Sequence, residues 1–250
     1  MQHRRTFAAK ALGYLSLSAV FAFAMAGAAL LDLQQEHRIH LFDILTKLII
    51  IVGICAYASL CGTPINTPGS KCFTRWMPVA LLPAFANLLS GFCIPDWYPG
   101  TVEVINQTAA ILTTAAWEEL YFRYVGRTLF ERDGKYTAGA VVLLSLAFSV
   151  PHLINIFFYD PASVLLQVLS ASVSGVFFLA LYRHTGSLRL TILAHFLQNF
   201  IGMFFQTFTT AETYAQNANW VWGLIVLLAA NIAELVVGIC ILKQHDYIAK

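Results

Sequence analysis

Five polar side chains stand in stretches that are otherwise almost wholly apolar: Glu118, Glu119, His152, His195 and Asn199. The first two belong to Trp117-Glu118-Glu119-Leu120-Tyr121-Phe122-Arg123. There Glu119 and Arg123 are four apart, acid first, the helical spacing that favours an ion pair and neutralises one carboxylate. Glu118 lies about 100° around the same helix and is free to face another cavity and exchange a proton there. His152 ends Phe148-Ser149-Val150-Pro151-His152, where Pro151 should loosen the helix beside it. His195 and Asn199, again four apart, share a face. A carboxylate with a histidine can orient and deprotonate water, while a second histidine and an amide can donate hydrogen bonds to a developing oxyanion. Those are the parts of a peptidase. No activated serine competes, because Ser149 lacks a Gly-x-Ser-x-Gly context and Ser145 and Ser170 are ordinary helix positions.

The elements that must position these groups are membrane helices. Of 250 residues, 58% are hydrophobic and 11% charged, against roughly a quarter charged in soluble domains. Apolar runs separated by breakers give eight spans, at 8–31, 42–60, 76–94, 104–126, 137–156, 163–182, 190–208 and 220–242, in one all-α transmembrane bundle covering 1–250. Turn chemistry fills the gaps, as in Asp133-Gly134, Asp160-Pro161 and Thr185-Gly186. Arg4, Arg5 and Lys10 precede an apolar run longer than a secretory signal's, so the first span is read as an uncleaved helix. With both termini cytoplasmic, every Lys and Arg except Arg38 and Lys47 falls on the cytoplasmic side or its helix ends, Arg123 among them. The expected site is a multi-pass protein of the plasma membrane with its cavity facing the cytoplasm.

Depth can be estimated from the turns. Glu118 lies about 16 residues before Asp133-Gly134 and His152 about 18 after it, so both sit roughly 25 Å from that turn. His195 and Asn199 begin a separate span, about 10 to 15 Å below the cytoplasmic interface. If the hairpin projects from the membrane, all these groups meet in one cavity.

Each group also has a plainer role. Glu119 with Arg123 alone reads as a structural ion pair, and His195 with Asn199 as interhelical glue. Ionisable groups at matched depth on three helices are costly for packing alone, which favours a functional cavity. Glu234 in the last span is left open between pairing across helices and sitting protonated against Asn231. Gly13, Gly27, Gly175, Gly202 and Gly238 are read as close-packing positions and the five cysteines as core thiols, with no disulfide or zinc-knuckle spacing. His3, His37, His40, His184 and His245 are read as solvated, and Trp76, Trp97, Tyr98, Trp220 and Trp222 as interfacial anchors. A net charge of +2 without a basic stripe excludes nucleic acid as a partner. Oligomeric state is not legible.

Glu118-Glu119-x-x-x-Arg123, Phe148-x-x-x-His152 and His195-x-x-x-Asn199, in this order on separate apolar helices, resemble the three motifs of the CPBP family, the CAAX-protease and bacteriocin-processing (Abi-like) membrane proteins. The motif-bearing region is 104–208; the helices of 1–100 carry no matching motif. The resemblance implies an intramembrane glutamic endopeptidase similar to type II CAAX prenyl endopeptidases, acting on a membrane-associated peptide or protein. Glu118 would then be the principal base, His152 would help activate water, Glu119 and Arg123 would support the base, and His195 and Asn199 would hold the oxyanion. It implies no cofactor. A zinc-dependent version of the same reaction stays open, because His152, His195 and Glu118 could supply a His2Glu set. A non-proteolytic bacteriocin self-immunity or scaffold protein is the alternative from another class, and a transporter is a third.

Overall fold

The computed structural model describes residues 2–33, 40–60, 65, 70–90, 100–132, 135–207, 220–244 and 248–249. Among the described residues, five stretches are long and apolar enough to cross a bilayer: 7–32, 41–60, 138–157, 161–185 and 221–243. They fall in helices α1 (Gln2–Leu33), α2 (Leu41–Leu60), α7 (Ala138–Ser149) with its 3-10 continuation (Val150–Phe157), α8 (Pro161–Thr185) and α10 (Trp220–Gln244). Much of their surface is not covered by protein: Phe23, Ile49, Val52, Leu60, Leu165 and Val221 are exposed. Such apolar area is untenable in water and is what a helix needs in hydrocarbon. The chain is an all-α, polytopic integral membrane protein.

The three further expected spans are helical as well, but none is a plain apolar helix. The run 76–94 is broken into α3 (Ser70–Ala80) and α4 (Leu82–Ser90) by a turn at Leu81, after Pro78 has removed a backbone donor inside α3. The run 104–126 is α5 (Thr101–Glu118) followed by a π-helix (Glu119–Val125) and the short α6 (Gly126–Phe130). The seventh span is α9 (Leu188–Thr207), which carries His195, Gln198 and Asn199. One small departure from an all-helical chain is a parallel pair, β1 (Tyr136–Thr137) with β2 (Ile248–Ala249), tying the C-terminal residues to the loop before α7.

Local chemistry sets the helix ends. Asp160 caps α8, accepting from the Ser163 backbone N–H at 2.8 Å and the Ser163 hydroxyl at 2.9 Å, while Pro161 occupies the first turn. Gly186 closes α8 with φ 64° and ψ 8°, a left-handed geometry that glycine adopts without a Cβ penalty, and its N–H reaches the Tyr182 carbonyl at 2.7 Å. The reversal brings α9 back beside α8. At the opposite end, the Asp32 carboxylate accepts from the N–H groups of Phe42 and Asp43, both at 2.9 Å, which caps α2. Lys47 pairs with Asp43 and donates to Thr114 at 2.7 Å, joining α2 to α5.

The core around the motif helices is aromatic. Tyr14 and Tyr121 stack with centroids 4.8 Å apart, the Tyr121 hydroxyl donates to the Tyr14 carbonyl at 2.7 Å, and Phe122 meets Phe148 edge-on at 5.3 Å. Glycines allow α8 to approach its neighbours. A Cβ on Gly175 would lie 3.0 Å from the Ser145 Cα on α7, and one on Gly238 would lie 3.2 Å from the Phe177 Cα. Gly13 and Gly27, expected to do the same, have nothing within 4 Å of such an atom and do not mark close packing. Gly175→Leu should therefore cost roughly 1–3 kcal/mol through overpacking, whereas Gly13→Leu should leave the unfolding midpoint in detergent almost unchanged.

Other expectations change in the folded chain. Cys55 and Cys240 are exposed on helix surfaces rather than in the core. His184 packs against Trp76 at 4.3 Å and His40 meets Gln107 at 3.0 Å, so neither is simply solvated. Arg123 is not at a helix end near water; it is 1% exposed. His3's side chain and Trp220's, together with His37, Cys61, Cys93, Trp97, Tyr98, Asp133-Gly134 and His245, lie outside the described residues or side chains, as does the Cys72 side chain.

Candidate active site

The site begins where α5 stops being an α-helix. From Glu119 to Val125 the backbone winds as a π-helix, and the Gly126 N–H reaches back to the Tyr121 carbonyl. Such turns cluster at functional sites because they re-aim side chains within a continuous helix. All of Glu119 to Tyr124 is buried, including two groups that are charged in water.

Glu119 is fully buried and holds a different partner with each oxygen. Its Oε2 lies 3.1 Å from Arg123 Nε, close enough for an ion pair although not aligned as a hydrogen bond. Its Oε1 accepts from His195 Nδ1 at 3.0 Å. A carboxylate offers only lone pairs, so this contact places a hydrogen on Nδ1 and directs Nε2 the other way. Nε2 faces Glu118, whose Oε2 is 3.5 Å distant. The imidazole thus stands between the two adjacent carboxylates, one contact on each ring edge.

Aromatic rings hold this arrangement. Phe178 stacks on His195 at 5.3 Å with a 22° interplanar angle, and Phe148 approaches it edge-on at 5.6 Å. The Arg123 guanidinium carbon sits 4.4 Å above Phe148 and 5.6 Å from the Phe178 centroid. Cation–π attraction therefore adds to the ion pair where no water can. Phe148 also touches His152, whose ring centroid is 5.8 Å away. His152 is half-buried in the 3-10 turn that begins at Val150, beside Pro151 as expected, and its Nδ1 is buried without a hydrogen-bond partner among the described residues. Asn199 is half-buried one helical turn beyond His195 on the same face of α9.

The expected site residues thus come from the expected helices, and the structure joins Glu118, Glu119, Arg123 and His195 directly and His152 through Phe148. The Glu119–Arg123 pair is the one the spacing implied. What the spacing did not show is that His195 links both carboxylates. Phe178 and Thr191 were also missed. Phe178 sits in an unremarked apolar run, and Thr191 precedes His195 by one helical turn and places its side chain against Glu119; only that one-turn offset could have pointed to it.

Among the described residues, no three His, Cys, Asp or Glu side chains converge as a metal-ligand set.

No curated protein and no solved structure matches the chain significantly. Residues 101–201, which run from the start of α5 into α9 and contain every group of this site, match the family described as type II CAAX prenyl endopeptidase Rce1-like. The motif-bearing region of this membrane protein is thus similar to the type II CAAX prenyl endopeptidase Rce1-like family over residues 101–201.

Proposed function

We propose that the protein is a glutamic intramembrane endopeptidase in which Glu118 activates water against a peptide carbonyl. The observation that carries this reading is the asymmetry of the two carboxylates. Glu119 is engaged by Arg123 and His195, whereas Glu118 has, among the described residues, the 3.5 Å approach of His195 Nε2. The first is fixed as support and the second keeps an oxygen for a proton in transit.

In the reaction, Glu118 accepts a proton from water as the water oxygen bonds to the carbonyl carbon. His152 orients that water. The carbonyl oxygen becomes an oxyanion that accepts hydrogen bonds from the Asn199 amide and from Nε2–H of His195, which takes this part as an imidazolium while its Nδ1–H stays on Glu119. As the C–N bond breaks, Glu118 returns its proton to the leaving nitrogen, giving a free amine and a new C-terminal acid. Glu119 and Arg123 hold the His195 ring in place throughout.

The substrate is a membrane-associated peptide or protein, and a prenylated C-terminal segment is the first class to test given the family's description. Eight spans, cytoplasmic termini and a cavity opening toward the cytoplasm of the plasma membrane complete the reading, supported by the positive-inside distribution of Lys and Arg.

Asn199→Ala removes one oxyanion donor and should lower kcat by about 100- to 1,000-fold with KM nearly unchanged. The function itself is tested by mapping membrane and secreted peptides, by mass spectrometry, from cells carrying the intact protein, Glu118→Ala or His152→Ala. Peptides sharing a cleavage position should accumulate only with the intact protein. Identical peptide sets with equal protein abundance would remove the protease reading.

A further inference from the structure

A second polar group of residues lies outside the hydrolytic site, at membrane depth. Glu234 on α10 is 3% exposed, and its Oε2 accepts from the Ser174 hydroxyl of α8 at 2.7 Å. The same hydroxyl accepts from Gln198 Nε2 of α9 at 3.3 Å, and Asn231 Nδ2 of α10 donates to Ser170 on α8 at 3.0 Å. Asn87 of α4 donates to the Gln198 carbonyl at 2.8 Å. Glu234, Asn231, Ser170, Gln198 and Asn87 line a cavity of about 50 Å³. Ser174, Gln198 and Glu234 each lie about ten residues, roughly 15 Å, from the helix end on the side where α8 turns into α9, so their heights agree.

Two features of this chamber need an occupant. Glu234 has one oxygen satisfied by Ser174 and lines the cavity, and among the described residues no Lys, Arg or His forms an ion pair with the carboxylate. An ionised carboxylate at this depth is costly without a counter-charge. The lining side chains also offer oxygens, from Ser170, Asn231 and Gln198, which are hard donors suited to an alkali or alkaline-earth ion. At about 50 Å³ the cavity has room for one ion together with one or two waters. One negative charge among neutral oxygens balances a single positive charge, whereas a divalent ion would leave an unpaired charge in hydrocarbon.

We propose that this chamber binds one monovalent cation of about sodium's size, held by Glu234 and the surrounding hydroxyl and amide oxygens. The ion would tie α4, α8, α9 and α10 together at mid-membrane, one helical turn along α9 from His195. The site is separate from hydrolysis, so it does not depend on the protease reading.

The test is the unfolding midpoint of purified protein titrated with NaCl against N-methylglucamine chloride at constant ionic strength, with binding of radioactive ²²Na⁺ measured in parallel. Wild type and Glu118→Gln should both show a saturable rise of about 3 to 5 °C and one bound sodium per chain. CaCl₂ at matched ionic strength should not reproduce the rise. Glu234→Gln should lose both responses. Should that variant not fold, Ser174→Ala, which keeps the carboxylate, should weaken ²²Na⁺ binding about tenfold. Absence of sodium binding to wild type, or an equal response in the variants, would overturn the proposal and leave Glu234 as a carboxyl holding its own proton.

Discussion

Glu118→Gln should lower kcat by about 1,000-fold while leaving the protein folded. Glutamine keeps the size and one oxygen of the side chain but cannot take a proton from water, so the loss reports on base catalysis, which contributes about 100- to 10,000-fold in enzymes that use it. Folding should persist because Glu118 is not held in an ion pair with Arg or Lys and the replacement amide can still meet His195 Nε2. The check is single-turnover cleavage of a mapped substrate together with an unfolding scan. A kcat within tenfold of wild type would show that another group activates the water.

Arg123→Met should have the largest effect on stability, roughly 3–5 kcal/mol. The guanidinium is 1% exposed, balances a fully buried Glu119 and covers Phe148. Methionine fills similar space but leaves that carboxylate with only His195 as a polar partner of comparable strength. The paired replacement Glu119→Leu with Arg123→Met removes both charges, and most of the lost stability should return, because an apolar pair of similar volume substitutes well for a buried ion pair. Activity should not return, since His195 Nδ1 then has no carboxylate to donate to and the ring loses its orientation. Unfolding midpoints and turnover of the three variants separate support of the fold from support of the site. Recovery of both quantities in the paired variant would show that Glu119 only balances charge.

Periodicity and charge made much of this architecture readable in advance. Long apolar runs have one solution in hydrocarbon, a helix, and the i,i+4 spacings of Glu119 with Arg123 and of His195 with Asn199 set their faces without tertiary knowledge. The effect of Pro151 on its helix was readable for the same local reason. What could not be read depends on how helices meet. The π-helix from Glu119 to Val125 has no distinct composition; within the fold the rings of Tyr14, Tyr121 and Phe122 pack against one another along it. The placement of His195 between the two carboxylates depends on the approach of α9 to α5, and Phe178 as its stacking partner looks like any apolar position in α8. Glu234 was visible as a misplaced charge, but its partner Ser174 could be found only by seeing α8 beside α10. Arg123 was counted with the charges at the cytoplasmic helix ends because charge counting has no depth; in the fold it belongs to the site.

The most direct measurement of hydrolysis by Glu118 uses purified, reconstituted protein in H₂¹⁸O with a peptide carrying the mapped cleavage position, in the presence of a metal chelator. Wild type should release fragments whose new C-termini carry ¹⁸O, at a rate the chelator leaves unchanged, while Glu118→Gln should release almost none. Unlabelled product, cleavage equal in the variant, or activity abolished by the chelator and restored by zinc would contradict the account.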